Sequence, residues 1–227
     1  MKGFFITATD TNVGKTVIAG GIAGVLRKQG YDAGVYKPVQ SGHLAHHADG
    51  DAARLRDLSG VEDLLEDICP YAIEEPLAPV LALRRANKTV TLKDLQREYL
   101  RMKEKHSFLI IEGAGGLAVP YVEDGLVVDA ARMFALPLII VARPHLGTVN
   151  HTLLTVEYAK QHGLQVAGVI ISGYQGGVVE QNNRLMIEAY SRIPILGVVP
   201  WMIEPNSREK VLMNLEESIQ WKMLQGF

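Results

Sequence analysis

Ten residues near the start of the chain, Thr7 to Thr16, read T-A-T-D-T-N-V-G-K-T. Their types suit the binding of phosphate. In a turn of small residues ending in Gly-Lys-Thr, backbone N–H groups point inward at phosphate oxygens. The lysine adds a point charge, and the hydroxyl of Thr16 can ligate Mg²⁺. The general P-loop pattern also needs a glycine five positions before Gly14, and Thr9 stands there. On this stretch alone, an ordinary strand-to-helix turn that contains Gly-Lys-Thr is the competing reading. The flanks favour phosphate: apolar Phe4-Phe5-Ile6 comes before it and an apolar-periodic segment after it.

Other candidates lie further along. Lys37 ends the short apolar run Ala33–Tyr36 and precedes Pro38. A surface lysine is the bland alternative. On a short central strand, however, the ammonium must reach water or an anion, and near a transferring phosphoryl group it would offset developing negative charge. Glu112 ends Phe108–Ile111, and a strand-end acid of this kind can hold Mg²⁺ directly or through water. Asp51 is the preferred companion for the metal shell, with Asp49 as the less favoured alternative. Asp10 could orient a water or the metal. His43, His46 and His47 share the polar loop Ser41–Asp51, but their spacing matches no usual zinc pattern. There is no H-E-x-x-H, no C-x-x-C and no persuasively spaced Ser-His-Asp set.

Alternating elements must position these groups. Strands are expected at Gly3–Thr7, Ala33–Pro38, Phe108–Gly113, Leu138–Ala142, Ala167–Ile171 and Ile195–Val199. Helices are expected after Thr16, around Leu55 and Leu58, from Thr91, from the Arg143–Asn150 loop to His162, and around Leu185–Tyr190. A last amphipathic helix would carry Leu212, Leu215, Ile219 and Met223. Thr91 and Asp94 form an imperfect capping box, with Asp for the usual Glu or Gln. Cys69 to Pro79 contains three prolines and reads as a loop without regular structure. Continuous apolar strands alternating with helices predict a three-layer α/β fold with a mostly parallel sheet. Ligands should then bind beyond the strands' C-terminal ends, where Lys15, Lys37, Glu112 and the Arg143–Asn150 loop all fall.

Length and composition set limits. The 227 residues suit one domain or two, and no linker or repeat divides them, so 1–227 reads as a single P-loop-type domain. A net charge of −2 gives no global electrostatic case for nucleic acid. The one cysteine, Cys69, cannot form an internal disulfide and fits a reducing compartment. The longest apolar run, Leu136–Ala142, is too short to span a membrane. With no evident leader before the first strand, a soluble cytoplasmic protein is expected.

Four segments then resemble dethiobiotin synthetase, an ATP-dependent carboxylase family of biotin synthesis. They are T-D-T-N-V-G-K-T (Thr9–Thr16), Y-K-P-V-Q-S-G (Tyr36–Gly42), E-G-A-G-G (Glu112–Gly116) and L-G-T-V-N-H-T-L-L-T (Leu146–Thr155). G-V-V-P-W (Gly197–Trp201) resembles the family's late strand. Any one is weak; the ordered set is specific. The resemblance implies a P-loop NTPase-like sheet of about seven parallel strands and a homodimer. It also implies conversion of 7,8-diaminononanoate, CO₂ and MgATP to dethiobiotin, ADP and phosphate. Asn12, Val13, Gly14, Lys15, Thr16 and position 17 would bind the nucleotide, with ATP and Mg²⁺ as cofactors. Lys37, Lys15 and Thr11 would be catalytic, and Ser41 would contact the substrate. The helix start near Thr148–Asn150 would receive the substrate's distal carboxylate across the dimer interface.

Three departures from that family's pattern stand out. Ala8 replaces a usual glycine, Asn12 a frequent glutamate, and Ser172-Gly173 an asparagine that reads the adenine edge, so base selectivity does not carry over with the rest. Two other functions compete. One is a related P-loop amidase or ligase. The other is a nucleotide-switched partitioning-type ATPase, disfavoured because Thr7–Val13 holds no second lysine and Glu216–Phe227 is not strongly basic.

Overall fold

The structure is a computed structural model and describes residues 2–205 and 207–224. In chain order its elements are β1 (Lys2–Ala8), α1 (Lys15–Lys28), β2 (Ala33–Tyr36), β3 (Val39–Ser41), α2 (Asp51–Ser59), α3 (Leu65–Ile68), β4 (Tyr71–Ile73), α4 (Pro79–Arg85) and α5 (Leu92–Lys105). There follow β5 (Phe108–Glu112), β6 (Pro120–Val122), β7 (Gly125–Leu126), α6 (Val127–Phe134), β8 (Leu138–Ala142) and α7 (Thr148–Gln161). The chain continues through β9 (Val166–Tyr174), α8 (Val178–Ser191), β10 (Ile195–Pro200), α9 (Arg208–Ser218) and α10 (Trp221–Leu224).

Six strands form one parallel sheet in the order β10-β9-β8-β1-β5-β2. Its strands are apolar on both faces because both are covered. Phe4, Ile6, Ile110, Ile139 and Val141 pack with α1, α2 and α9, whereas Phe5, Leu109, Ile111, Leu138 and Ile140 pack with α5, α6 and α7. β1 lies inside the sheet. From it the chain crosses one way to β2 and later the other way to β8, which makes the C-terminal end of β1 a switch point of the topology.

The sequence-based picture needs correction in several places. The central sheet has six strands among the described residues, not about seven. Pro38 has no N–H, so the ladder of β2 stops, and the next residues pair instead as β3 with β4 in a separate parallel pair. β4 lies in the proline-rich stretch expected to lack regular structure, and Pro79 starts α4, where a missing N–H costs nothing. β2 is an edge strand, so Lys37 does not end a central one. The Thr91–Asp94 capping box is complete: the Asp94 carboxylate accepts the Thr91 N–H at 2.9 Å. The structure adds the α6 helix and the β6–β7 hairpin between β5 and β8. The final helix also breaks. Ile219 leaves it to bridge Gly197 of β10, and α10 carries Met223 separately.

Candidate active site

The turn after β1 is built by local backbone chemistry. Its Thr9 N–H donates to the Val141 carbonyl at 3.1 Å, and the Asp10 carboxylate accepts the Thr11 N–H at 2.8 Å. Asn12 and Gly14 take positive φ values of 56° and 95°. Asparagine tolerates that region better than a longer carboxylate side chain, which gives Asn12 a conformational role. At Gly14 a side chain has no room, since a Cβ would lie 2.5 Å from Ser172 Oγ. Gly14 starts α1 with no capping side chain and no acidic residue in the first turn. The free N–H groups there are open to an anion.

Lys15 is buried, and its Nζ donates to the Asp10 carbonyl at 3.1 Å. Burial, reinforced by the charge of Lys37, lowers its pKa to about 8. Lys37 is more deeply placed, at 2% exposure. Its Nζ meets Glu112 Oε1 at 2.7 Å, Asp51 Oδ2 at 2.9 Å and the Gly113 carbonyl at 2.8 Å. Burial works against the ammonium, but the two carboxylates outweigh it and hold Lys37 well above its ordinary value. Asp51 falls to about 2, because Lys37 overcomes the cost of burial there. For Glu112, burial pushes upward against Lys37. The 2.7 Å contact is that of an ion pair, so Glu112 is a carboxylate here.

Thr16 joins the same cluster. Its Oγ1 lies 3.0 Å from Asp51 Oδ1 and 3.1 Å from Glu112 Oε1, and one hydroxyl proton can serve only one of them at a time. The second oxygen of Glu112 is buried and has no hydrogen-bond partner. Two carboxylates, one of them with an orphaned oxygen, and a hydroxyl fit a small hard cation that keeps several waters. Lys37 and Glu112 are brought together because β2 and β5 are neighbours. Asp51 arrives from α2.

The position of α2 depends on a residue the sequence did not single out. Gly50 precedes the helix and offers no side-chain cap. Instead Gln40, 1% exposed, accepts the Ala52 N–H on its Oε1 at 2.8 Å. Its Nε2 donates to the carbonyls of His43 and Leu44 at 2.8 and 3.3 Å. A Cβ on residue 50 would lie 2.8 Å from that Nε2, so glycine admits the contact. Gln40 thus caps α2 from outside and ties down the start of the histidine loop.

These groups line a cleft of about 560 Å³ together with Thr11, Asn12, Val17, Ser41, His43, Asp49, Arg54 and Gly115. Asp49 is exposed at its rim, and Asp51 alone of the two reaches Lys37. Val13 is buried beneath the loop. The Ser41 hydroxyl donates to the Leu77 carbonyl at 2.7 Å. Thr11 is exposed and also lines a second cleft, shared with Gly116, Leu154, Thr155 and Tyr158. Beside it the Arg143 guanidinium joins Asp10 Oδ2 and His151 Nδ1, each at 3.2 Å, so the first turns of α7 stand next to the phosphate loop. Thr148 opens that helix and is buried, with its hydroxyl unpartnered. Among the described residues no group of three or more His, Cys, Asp or Glu side chains could hold a metal. The metal candidate needs Thr16 to complete it. Arg54 carried no motif and Gln40 was only one letter inside Y-K-P-V-Q-S-G; the folded chain brings both to the cleft.

Known proteins resemble this chain in two ways. A family model described as an AAA domain matches residues 2–208. A Bacillus thuringiensis (strain Al Hakam) protein named ATP-dependent dethiobiotin synthetase BioD is 56% identical over 229 residues, covering 100% of this chain and 95% of its own. A Bacillus cereus (strain 03BB102) protein of the same name matches equally. In fold, a chain of the MinC:MinD cell division protein complex of Aquifex aeolicus superposes with a TM-score of 0.65 at 14% identity, covering 100% of this chain and 97% of that one. A ParA family ATPase from Chlorobium tepidum TLS gives 0.58 at 13%, covering 95% and 92%. These last two likenesses are of fold alone.

Proposed function

The chain belongs to the ATP-dependent dethiobiotin synthetase family, and from that premise we propose that it closes the cyclic urea of dethiobiotin from 7,8-diaminononanoate, CO₂ and ATP. It is an ATP-dependent ligase. One amine of the substrate adds to CO₂ and loses a proton, giving a carbamate. A carbamate oxygen attacks the γ-phosphorus of ATP, forming a carbamoyl-phosphate mixed anhydride and releasing ADP. The second amine then attacks the carbonyl carbon, the C–O bond to phosphate breaks, and the ring closes with phosphate as the leaving group.

The observation that carries this reading is Lys37, buried at the strand ends between Glu112 and Asp51 and beside the open N-terminus of α1. A fixed ammonium there would offset charge on the carbamate and on the transferring phosphoryl group. Lys15 and the N–H groups of residues 12–16 would hold the nucleotide's phosphates, with Thr11 at the border between the two clefts. Thr16, Asp51 and Glu112 would hold Mg²⁺, as the orphaned Glu112 oxygen suggests. The metal would supply charge neutralisation at the phosphate oxygens. Ser41 lines the cleft on the side expected for the diamine.

A homodimer is proposed on separate grounds. Leu154 on α7 and Val178, Val179, Met186 and Tyr190 on α8 are exposed apolar side chains on two neighbouring helices, as a second copy of the chain would require. Among the described residues no helix is long and apolar enough to cross a membrane. A place in the cytoplasm is proposed from the lone buried Cys69 and the biosynthetic reaction. The test is incubation with diaminononanoate, bicarbonate and MgATP. Mass spectrometry should find the cyclic urea, with one ADP formed per ring. Folded protein that makes none overturns the reading. ATP hydrolysis that proceeds without the diamine would instead favour a nucleotide-switched ATPase.

A further inference from the structure

The cleft contains a cation that the chemistry above does not use. Arg54 lies on α2 three residues after Asp51, hence on the same helix face. That face is directed: Gln40 caps the helix start, and Asp51 is held by Lys37 and Thr16. Leu55 and Leu58, on the adjoining face, are buried against α1. Arg54 is therefore presented into the cleft beside Thr16 and Val17 of the first turn of α1.

Its surroundings leave its charge unanswered. Among the described residues the Arg54 side chain makes no ion pair, and its Nε is buried with no hydrogen-bond partner. Lys37 is neutralised by two carboxylates, whereas among the described residues no side-chain carboxylate pairs with Lys15 or Arg54. A half-buried guanidinium without a partner is costly unless a ligand supplies one. Guanidinium binds phosphate oxygens through paired N–H groups. We propose that Arg54 is a further nucleotide-binding residue, pairing with the polyphosphate from the side opposite the loop. This rests on the assignment of the cleft to ATP.

Calorimetric titration with ADP and with a non-hydrolysable ATP analogue, in Mg²⁺, tests it. Arg54→Gln should raise the dissociation constant of both nucleotides about tenfold, as loss of one charge-assisted contact does. Arg54→Lys should fall between, keeping the charge but not the paired N–H geometry. The diamine KM should stay within about twofold of the native value, since Arg54 is assigned to phosphate rather than to the amine substrate. The melting temperature without nucleotide should not fall, because no protein partner is lost, while the rise on adding nucleotide shrinks. A purely structural arginine would lower the ligand-free melting temperature and leave nucleotide affinity unchanged, which overturns the proposal. A raised diamine KM with native nucleotide affinity also overturns it. Native protein that binds nucleotide through Arg54 yet makes no cyclic urea would sink the function and leave this assignment standing.

Discussion

Removing the Lys37 charge should destabilise the fold near neutral pH and spare it in mild acid. Lys37→Met keeps most of the side chain's volume, so the change is chiefly electrostatic. It leaves Glu112, 1% exposed, without a counter-ion, and takes the donor from the Gly113 carbonyl. Breaking a buried pair in this way costs about 3–5 kcal/mol. Glu112 can escape by taking a proton. From its ordinary value of 4.5, that costs about 3.4 kcal/mol at pH 7 and about 0.7 kcal/mol at pH 5. Asp51, with 35% of its side chain exposed, can turn partly to water and adds less. We therefore expect a loss of about 3 kcal/mol at pH 7, a fall in melting temperature of about 6–12 °C at this chain length. The sign of the pH effect follows. In the variant the folded-state pKa of Glu112 is raised, so the folded protein takes up a proton as pH falls, and most of the deficit should vanish by pH 5. The assay is thermal unfolding at both pH values with EDTA present. Adding Glu112→Gln should restore stability at pH 7 and remove the pH dependence, while turnover stays lower than native by a factor of about 100 or more. A melting temperature within about 2 °C of native at pH 7, well under the expected fall of about 6–12 °C, would show that Glu112 does not depend on Lys37 for its charge, as would a deficit that does not change with pH.

Three further outcomes are expected. Burial, with the charge of Lys37, lowers the Lys15 pKa to about 8, and in the proposed role Lys15 would have to be charged to hold phosphate. Nucleotide affinity should fall about tenfold per pH unit above 8, with proton uptake on binding, seen by titration in buffers of unlike ionisation heat; constant affinity up to pH 9.5 would contradict it. Gln40→Leu removes the external cap of α2 and should lower kcat about tenfold, with much less effect in an Asp51→Asn background, since Gln40 acts through Asp51; additive losses in that double-mutant cycle would rule this out. Glu112→Gln should raise the Mg²⁺ concentration needed for half-maximal rate by about tenfold, and an unchanged metal titration would exclude Glu112 from the metal shell.

Features that depend on near neighbours in the chain were legible from the residues alone. Continuous apolar runs made the parallel strands legible. Gly-Lys-Thr after Phe4-Phe5-Ile6 marked the phosphate loop and α1, and Lys37 and Glu112 stood out as charges at strand ends. The ordered motifs identified the family, which full-length identity bears out. The rest turns on residues far apart in the chain and emerges only when they are folded together. Asp51 rather than Asp49 meets Lys37 because α2 is capped by a side chain from β3. The proline-rich stretch gains β4 because the chain after Pro38 needs a partner for its backbone. The expected last helix stops at Ser218 as α9 because β10 offers Ile219 a bridge, and Met223 falls on a separate α10. Arg54 looks like any helix-surface arginine until the fold sets it in the cleft lined by Lys15 and Thr16, without an ion pair among the described residues. Local pattern fixes which groups exist and on which elements. Which of them meet is set by strand order and helix packing, and these are properties of the whole chain.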